Sequence, residues 1–597
     1  MTPGLAHSVL YDRNHELTAV KAGAVSRWRA ALYPLLCCAA LLISIAIARP
    51  FAESAFNDDW SYSYVAQQFA QTGSFHYSGW GSPTILFQTL WGAAWIRVFG
   101  FSFDVLRAAT IPFALGFVLV VYALARRVGL TRSFACFGAL TVATSPLLVP
   151  LAATFMTDVY GCFFIMVCIY AAIACMQTQN VTTAKRWLWV LTVSGMAGGS
   201  NRQLVWAASF VLIPHLVWLK RPDRRFVVHA IAAYSLSIAA AALVLTTLSQ
   251  PYAPLELSGH QIVGVIQDNW FPGLALMVDL LLTGLLVALP ALLCFAPLWK
   301  ALGRRRLIVY GLIAVLGTAV LARILGSAYG LAPFLGNMLT PNGIMRPGQD
   351  ALGFRPVILP LPVRISLTWL LLFSVAAFIH LYRTISVPAR TIAVRVFASF
   401  SSVYMLLLVP GALVILSYDR YMLPLFPLLV IIILLTFQSS VQSLPYVAWI
   451  CLALFAAYSV ATTHDYSSSL RARVRAAQTM ESRGVPRNRI SVGFERDGWT
   501  QLESSGTIQV VHYNEPIEWN STDKFGFWAK TVAIRPDYVV SYWPASALPA
   551  NRLATIPFDA WFPPFQRAVV VLKREDLPKS EAGTPGNGSP RVEPHGQ

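Results

Sequence analysis

Apolar runs of membrane-spanning length recur through most of this 597-residue chain, and they leave few folds open to it. In hydrocarbon every backbone N–H and C=O needs an internal partner, so such runs form helices or closed barrels. A helix needs about 20 apolar residues to cross. Runs of that kind lie near 30–49, 104–125, 133–153, 159–177, 187–200, 204–219, 227–249, 273–299, 307–325, 364–382, 396–417, 421–437 and 444–462. They predict an all-α polytopic membrane protein with about 13 transmembrane helices. Only 12% of residues are charged, about half of what a soluble domain carries.

The net charge of +18 is unevenly spread, and its distribution orients the chain. With the N-terminal segment 1–29 inside, Arg126, Arg127, Arg132, Lys185, Arg186, Lys220, Arg224, Arg225, Lys300 and Arg304 to Arg306 all fall in inside loops. The outside loops hold almost no Lys or Arg, as the positive-inside rule requires. The charge therefore marks cytoplasmic loops rather than nucleic-acid binding. The polar N-terminus shows no small-residue cleavage site, so the first run reads as a span of the plasma (inner) membrane rather than a cleaved signal.

One apolar stretch stays out of the count. Residues 84–99 are short, Trp-rich and carry Arg97, and counting them as a span would invert every later loop. They read as an interfacial helix, with a second short helix at 60–71. The transmembrane domain then covers 30–463, with its first external loop at 50–103 and a long Pro- and Gly-bearing external loop at 326–363. From 464 to 573 the composition becomes that of a small soluble α/β domain, placed outside by the odd number of spans. A helix is expected over 466–483, and strands over 489–494, 538–542 and 568–572. The tail 574–597 reads as disordered. All eight cysteines lie in apolar stretches, which excludes a disulfide framework in the outer domain.

Against this frame Asn57-Asp58-Asp59 stands out: two carboxylates directly after the first span. Ionisable groups at membrane depth are rare and mark functional sites by default. Other charges gather at the same external level: Arg107, Asp158, Arg202, Arg323, and Asp419-Arg420. Guanidinium forks suit phosphate, and a phosphate at membrane depth belongs to a lipid. A neighbouring carboxylate can deprotonate an acceptor hydroxyl while the lipid phosphate leaves. Blander roles compete for each residue: a solvated turn for the Asp pair, snorkelling for Arg107 or Arg323, a helix cap for Asp158, a local ion pair for Asp419-Arg420. Trp499, Trp519, Trp528, Trp543 and Trp561 could stack on sugars or pack a core. His76, His260 and His464 follow no metal spacing, and Asn520-Ser521-Thr522 matches a glycosylation sequon.

Several segments together resemble the GT-C membrane glycosyltransferases, among them the protein O-mannosyltransferases and lipid A aminoarabinose transferases of glycosyltransferase family 39 type. Asn57-Asp58-Asp59-Trp60-Ser61-Tyr62 is similar to their acidic first-loop motif, and Phe103-Asp104-Val105-Leu106-Arg107 to the span that follows. Met156-Thr157-Asp158 resembles their second acidic site, and Asp419-Arg420-Tyr421-Met422-Leu423-Pro424 their Arg-Tyr-x-Leu-Pro signature. The resemblance implies a polyprenyl-phosphate sugar donor, a lipid A, glycolipid or protein acceptor, and inverting transfer. It makes Asp58 the base, Asp59 and Asp158 further acidic site residues, and Arg107, Arg202 and Arg420 donor-phosphate or structural contacts; Arg323 joins the phosphate-binding candidates only by its charge at the same level. A divalent metal, if one takes part, would fall to Asp58 and Asp59. Two departures stand out: Gly81-Ser82-Pro83 replaces a Lys-Pro-Pro common in relatives, and Asn201-Arg202-Gln203 stands where a Lys is common. The competing expectation is a transporter or flippase of lipid-linked sugars, whose charges would line a path across the bilayer.

Overall fold

Ten helices among the described residues are long and apolar enough to cross a membrane, from Ala31–Ala48 to Tyr446–Glu481. The computed structural model describes residues 31–576 apart from 83, 221–222, 249–258, 327–329, 346–351, 354, 385–391, 414–416, 439, 442, 509–532 and 545–548. The protein is a helical, multi-pass membrane protein with a small sheet at its C-terminal end.

Four of the expected spans take other forms; the run at 273–299 is divided among Gly259–Val287, Leu289–Leu292 and the 3₁₀ segment Leu293–Leu302. The run at 133–153 is split into Arg132–Ala143 and Leu148–Ala152, with the Ser145 hydroxyl accepting from the Leu148 N–H at the break (3.1 Å). The run at 187–200 is the second half of Val181–Gly199, whose first turns carry Lys185 and Arg186. The run at 421–437 opens in a 3₁₀ turn, Asp419–Met422, and leaves a helix of 13 residues, Phe426–Gln438. Hydrogen bonds tie the ends of these runs to neighbouring segments. At one end the Thr131 N–H donates to Gln438 Oε1 (2.6 Å) and Lys220 Nζ to the Thr178 carbonyl (2.6 Å). At the other, Gln88 reaches both the Phe155 carbonyl (2.6 Å, from Nε2) and Asn201 Oδ1 (3.1 Å, from its N–H).

Helix α1 (Ala31–Ala48) leads into the first loop. That loop holds α2 (Asp59–Thr72) and α3 (Leu86–Phe99) before the spanning helix α4 (Phe103–Arg127). The two short helices follow the expected bounds within two residues. They pack on each other, and close approach is built in: a Cβ on Gly92 of α3 would lie 2.5 Å from the Phe155 ring. Small residues allow such approach where lipid supplies no hydrophobic drive.

The membrane and outer parts are not separated at 463/464. Tyr446–Glu481 is one helix of 36 residues, about 54 Å long at 1.5 Å per residue. It absorbs both the last span and the helix expected at 466–483. A short antiparallel pair, β1 (Leu339–Thr340) and β2 (Gly343–Ile344), stands apart; the outer sheet runs β3 (Leu352–Gly353), β5 (Tyr538–Pro544), β7 (Gln566–Lys573), β6 (Ala554–Asp559), and β4 (Ile490–Ser491) also pairs with β5. β5 and β7 are antiparallel, with Val540 opposite Val571. β3 comes from the long loop after the Arg304–Ile324 helix, so the membrane domain lends a strand to the outer sheet. The strand expected at 489–494 covers only β4, because Phe494 already opens a helix, Phe494–Ser505. The expected tail meets the described residues only at Arg574–Asp576, a 3₁₀ turn. The segment 1–29, Trp519, Trp528 and the 520–522 sequon lie outside the described residues, as does the side chain of His260.

Candidate active site

The two adjacent aspartates point in different directions because of the residue before them. Asn57 has φ +54°, a left-handed conformation that Asn adopts more readily than most residues. The turn it makes starts α2 at Asp59. Asp59 Oδ1 accepts from the Phe56 N–H (2.6 Å) and Oδ2 from the Phe155 N–H (3.5 Å), with Arg107 Nε 3.7 Å from Oδ2. Arg107 is itself fully buried. It donates to Asp104 Oδ1 (3.0 Å) and to the carbonyls of Pro50 (3.3 Å) and Ser54. This cluster ties the 50–59 segment to the first turn of α4. Burial pushes the Asp59 carboxyl up to about 7, against the opposing pull of Arg107 and of the Phe56 and Phe155 amides.

Asp58 faces the other way and is partly exposed, at 15%. Its Oδ1 accepts from the Trp80 indole N–H (2.9 Å), and its Oδ2 from Arg420 Nη2 (3.3 Å). Arg420 Nε also lies 3.8 Å from Asp158 Oδ2, and Asp158 Oδ1 accepts from Arg202. The guanidiniums are flanked by rings: Arg420 lies 4.7 Å from the Tyr418 centroid, and Arg202 4.8 Å from that of Tyr421. Such stacking suits arginine's planar cation.

Local structure delivers each group. Asp158 occupies the first turn of Thr157–Gln177, where a carboxylate gains from the helix dipole. Arg202 sits at the break after Val181–Gly199, and Gly161 leaves it room: a Cβ there would be 3.1 Å from Arg202 Cδ. Arg420 is placed by its neighbour. Buried Asp419 accepts from the N–H groups of Met338 (3.0 Å), Leu339 (2.7 Å) and Arg420 (2.9 Å). Burial pushes its carboxyl up to about 6 although these amides oppose it. Asp419-Arg420 is therefore no local ion pair: Asp419 anchors the external loop, and Arg420 reaches Asp58 and Asp158.

Of the residues expected from the sequence, Asp58, Asp158, Arg202 and Arg420 meet in one cluster. Asp59 and Arg107 form a second, inward-facing one. There Arg107 donates to Asp104 and main-chain carbonyls, so its guanidinium braces the loop instead of facing the Asp58 cluster. Arg323 is exposed in the last turn of Arg304–Ile324 and shares no ion pair with either cluster among the described residues. Asp58 and Asp59 do not converge on a shared point, and among the described residues no three metal-ligating side chains group together. The donors present do not fit a shared divalent ion.

The outer-domain aromatics mostly pack. Trp499 stacks on Phe101 (5.4 Å) and meets Phe103 edge-on (4.9 Å). Trp561 stacks on His464 (4.1 Å), which also faces Asp465 (3.2 Å). Trp543 belongs to β5. His76 is exposed and meets only the nearby Ser74 carbonyl (3.3 Å).

Two residues were missed. Trp80 had no signal beyond a Trp-rich first loop. Asp279 had one: it is an acid in the middle of the Trp270–Val287 helix. It is 3% exposed, and its Oδ1, like the hydroxyl of Thr283 one turn on, has no hydrogen-bond partner.

No protein-family model and no curated protein matches the chain. Among solved structures it is similar to ArnT from Cupriavidus metallidurans bound to undecaprenyl phosphate, at 13% identity and a TM-score of 0.37, over 91% of this chain and 97% of that one. The apo state of ArnT aligns at 12% identity and a TM-score of 0.37, over 92% and 98%. The S. cerevisiae protein O-mannosyltransferase Pmt1-Pmt2 complex bound to the sugar donor aligns at 15% and a TM-score of 0.29, over 36% of this chain and 33% of that one. In that last alignment the chain spans about a third of the yeast chain's length.

Proposed function

We propose that the protein is a membrane glycosyltransferase that moves a sugar from a polyprenyl-phosphate donor to an extracytoplasmic acceptor, with Asp58 as general base. One observation carries this: Arg420 bridges Asp58 and Asp158, at 3.3 and 3.8 Å, with Arg202 behind Asp158. A partly exposed carboxylate beside two arginines, at one end of a membrane bundle, suits a base working next to a lipid phosphate.

The reaction is a single displacement. Asp58 takes the proton of an acceptor hydroxyl, whose oxygen bonds to the anomeric carbon of the sugar. The bond from that carbon to the phosphate oxygen breaks with its electron pair, and polyprenyl phosphate leaves. Attack opposite the leaving group inverts the anomeric centre. Arg420 and Arg202 stabilise the charge gathering on the phosphate. Asp158 holds both guanidiniums, and the Asp59–Arg107 cluster holds the backbone from which Asp58 projects. A positioned base contributes about 10²–10⁴-fold.

The Lys and Arg bias puts this face outside. The outer domain packs on the same first loop and so shares that face. An odd number of crossings, as the sequence count of about 13 gives, would carry this domain to the far side from the N-terminus; ten helices among the described residues are long and apolar enough to cross. Lipid A, another glycolipid and a protein can each supply the acceptor hydroxyl. The test is incubation of the purified protein with radiolabelled polyprenyl-phosphate sugars and membrane extract. The expected result is a labelled product with release of polyprenyl phosphate, and its chemistry names the acceptor. No transfer from any donor in such a panel would sink the proposal.

One observation favours a flippase as the second reading: Asp279, a buried acid within a span whose Oδ1 has no hydrogen-bond partner among the described residues, is the kind of group a polar path needs. Movement of lipid-linked sugar across proteoliposomes without any transfer product would establish that reading instead.

A further inference from the structure

The outer domain reaches the Asp58 side chain through a short aromatic relay. Trp80, whose indole N–H lies 2.9 Å from Asp58 Oδ1, belongs to the loop between α2 and α3. α2 straps this loop from one side: Ser61 Oγ donates to the Trp80 carbonyl (2.6 Å), and the Ser82 N–H donates to Tyr62 Oη (3.1 Å). The outer domain clamps it from the other. The Ile508 N–H donates to the Ser78 carbonyl (2.8 Å), and the Thr507 hydroxyl shares that acceptor (3.4 Å). Gly79, at φ +82°, lets the strands of chain meet: a Cβ there would be 3.0 Å from the Ile508 carbonyl oxygen.

The rings complete the clamp. Trp80 stacks with Trp60 at 6.0 Å, and Phe494 meets both edge-on at 5.7 Å. Phe494 opens the outer-domain helix Phe494–Ser505. One turn on, Gly498 lies flat against Trp60, where a Cβ would come within 2.8 Å of the ring. Trp60 is fully buried between the two parts. That helix is held in turn by Glu495, which pairs with Arg473 (3.0 Å) and accepts from Tyr466 on the long helix. The aim of the Trp80 N–H is thus set by residues more than 400 positions away in the chain.

We infer that the outer domain is a working part of the active site, and that Trp80 is a positioning residue through which it orients Asp58. The inference rests on the reading of Asp58 as the base. The chemistry suits the role. A carboxylate has about four lone-pair sites, so one indole N–H can fix the plane of the group and leave a lone pair for the acceptor proton. Arg420 alone, on the other oxygen, permits rotation about the Cβ–Cγ bond. The indole adds direction without adding charge, so it does not compete with the arginines for the phosphate.

The experiment compares Trp80→Phe, Gly498→Val and Asp58→Asn in the full-length protein. Trp80→Phe keeps a ring and removes the donor. It is expected to lower kcat by about 10- to 100-fold, the worth of one hydrogen bond to a charged group, with the donor KM unchanged. Gly498→Val pushes Trp60 and lifts the outer helix, and should lower kcat in the same way. Combining the two should cost little more than either alone, because both act through one hydrogen bond. A purely structural role would instead lower the melting temperature and the active fraction, with kcat per active site unchanged. An inactive Asp58→Asn beside fully active Trp80→Phe and Gly498→Val overturns the relay but leaves the base. A fully active Asp58→Asn overturns the base itself.

Discussion

Asp58 and Asp59 are neighbours in the chain, yet the structure gives them opposite surroundings. Asp59 is 1% exposed, takes two backbone amides and stands by a fully buried arginine, Arg107. Asp58 is 15% exposed, and its partners are an indole and an arginine shared with another acid. The first cluster is tied mainly to main chain, through the Phe56 and Phe155 amides and the Pro50 and Ser54 carbonyls, and it holds a loop still. The second has side-chain partners that a substrate can displace. Burial and partner type, more than residue type, separate a structural carboxylate from a reactive one.

The largest test of that contrast is Asp58→Asn. It keeps the shape and removes the base, so transfer should fall by about 10²–10⁴-fold, while membrane insertion and melting temperature stay near those of the parent. Loss of folding instead would put Asp58 in the structural class with Asp59. Arg107→Met should show the reverse pattern. Removing one partner of a buried ion pair costs about 3–5 kcal/mol, so yield and melting temperature in detergent should drop. Any Arg107→Met that does fold should keep its affinity for polyprenyl phosphate. Arg420→Gln should weaken polyprenyl-phosphate binding, and because its partners Asp58 and Asp158 are largely buried it should also cost stability, up to about 3–5 kcal/mol. An equal loss of lipid affinity in both variants would erase the distinction between the clusters.

The pH dependence of stability gives a smaller signal with a definite sign. Asp59 and Asp419 have folded-state values pushed up from 3.8 to about 7 and about 6. A carboxyl raised in this way holds a proton in the folded state that the unfolded chain has released. Stability is therefore greatest below about pH 4 for these two groups, and falls as pH rises through 6 and 7. Melting curves of Asp59→Asn should lack the part of the decline that extends to 7. The smallest effect is expected at Asp279. Asp279→Asn removes an uncompensated buried acid, so transfer should persist and the melting temperature should hold or rise slightly. Loss of lipid movement in that variant would favour the flippase reading.

Much of the fold could be read because membrane helices form on local rules. Most spans fall within a few residues of their apolar runs, and α2 and α3 lie where the short amphipathic and Trp-rich stretches are. The failures have a common cause. At 133–153 and 421–437 composition registers hydrophobicity but not a break, and the breaks are met by distant partners: the Ser459 hydroxyl on the Ser145 carbonyl, and the Met338 and Leu339 amides on Asp419. At 463/464 a change of composition reads as a domain border, although the helix continues because its outer half packs against the outer sheet. In the site, Asp58, Asp158, Arg202 and Arg420 are visible as charges at one level of the membrane. Arg107 belongs to the same level, and nothing in its sequence neighbourhood announces that its donors go to the Pro50 and Ser54 carbonyls.

By itself, the sequence determined a multi-pass helical protein and a short list of charged residues gathered at one level, with a charge bias that gives an expected orientation. Hydrophobic length and charge bias are local quantities, and they act the same way wherever the chain goes. Only the tertiary structure decided which of two adjacent aspartates is sealed and which is open. It alone brought Arg420 across 362 positions to Asp58, and set Trp80 between them and the outer domain. Those outcomes depend on which backbone amides, carbonyls and rings arrive from distant segments, and no local pattern encodes that.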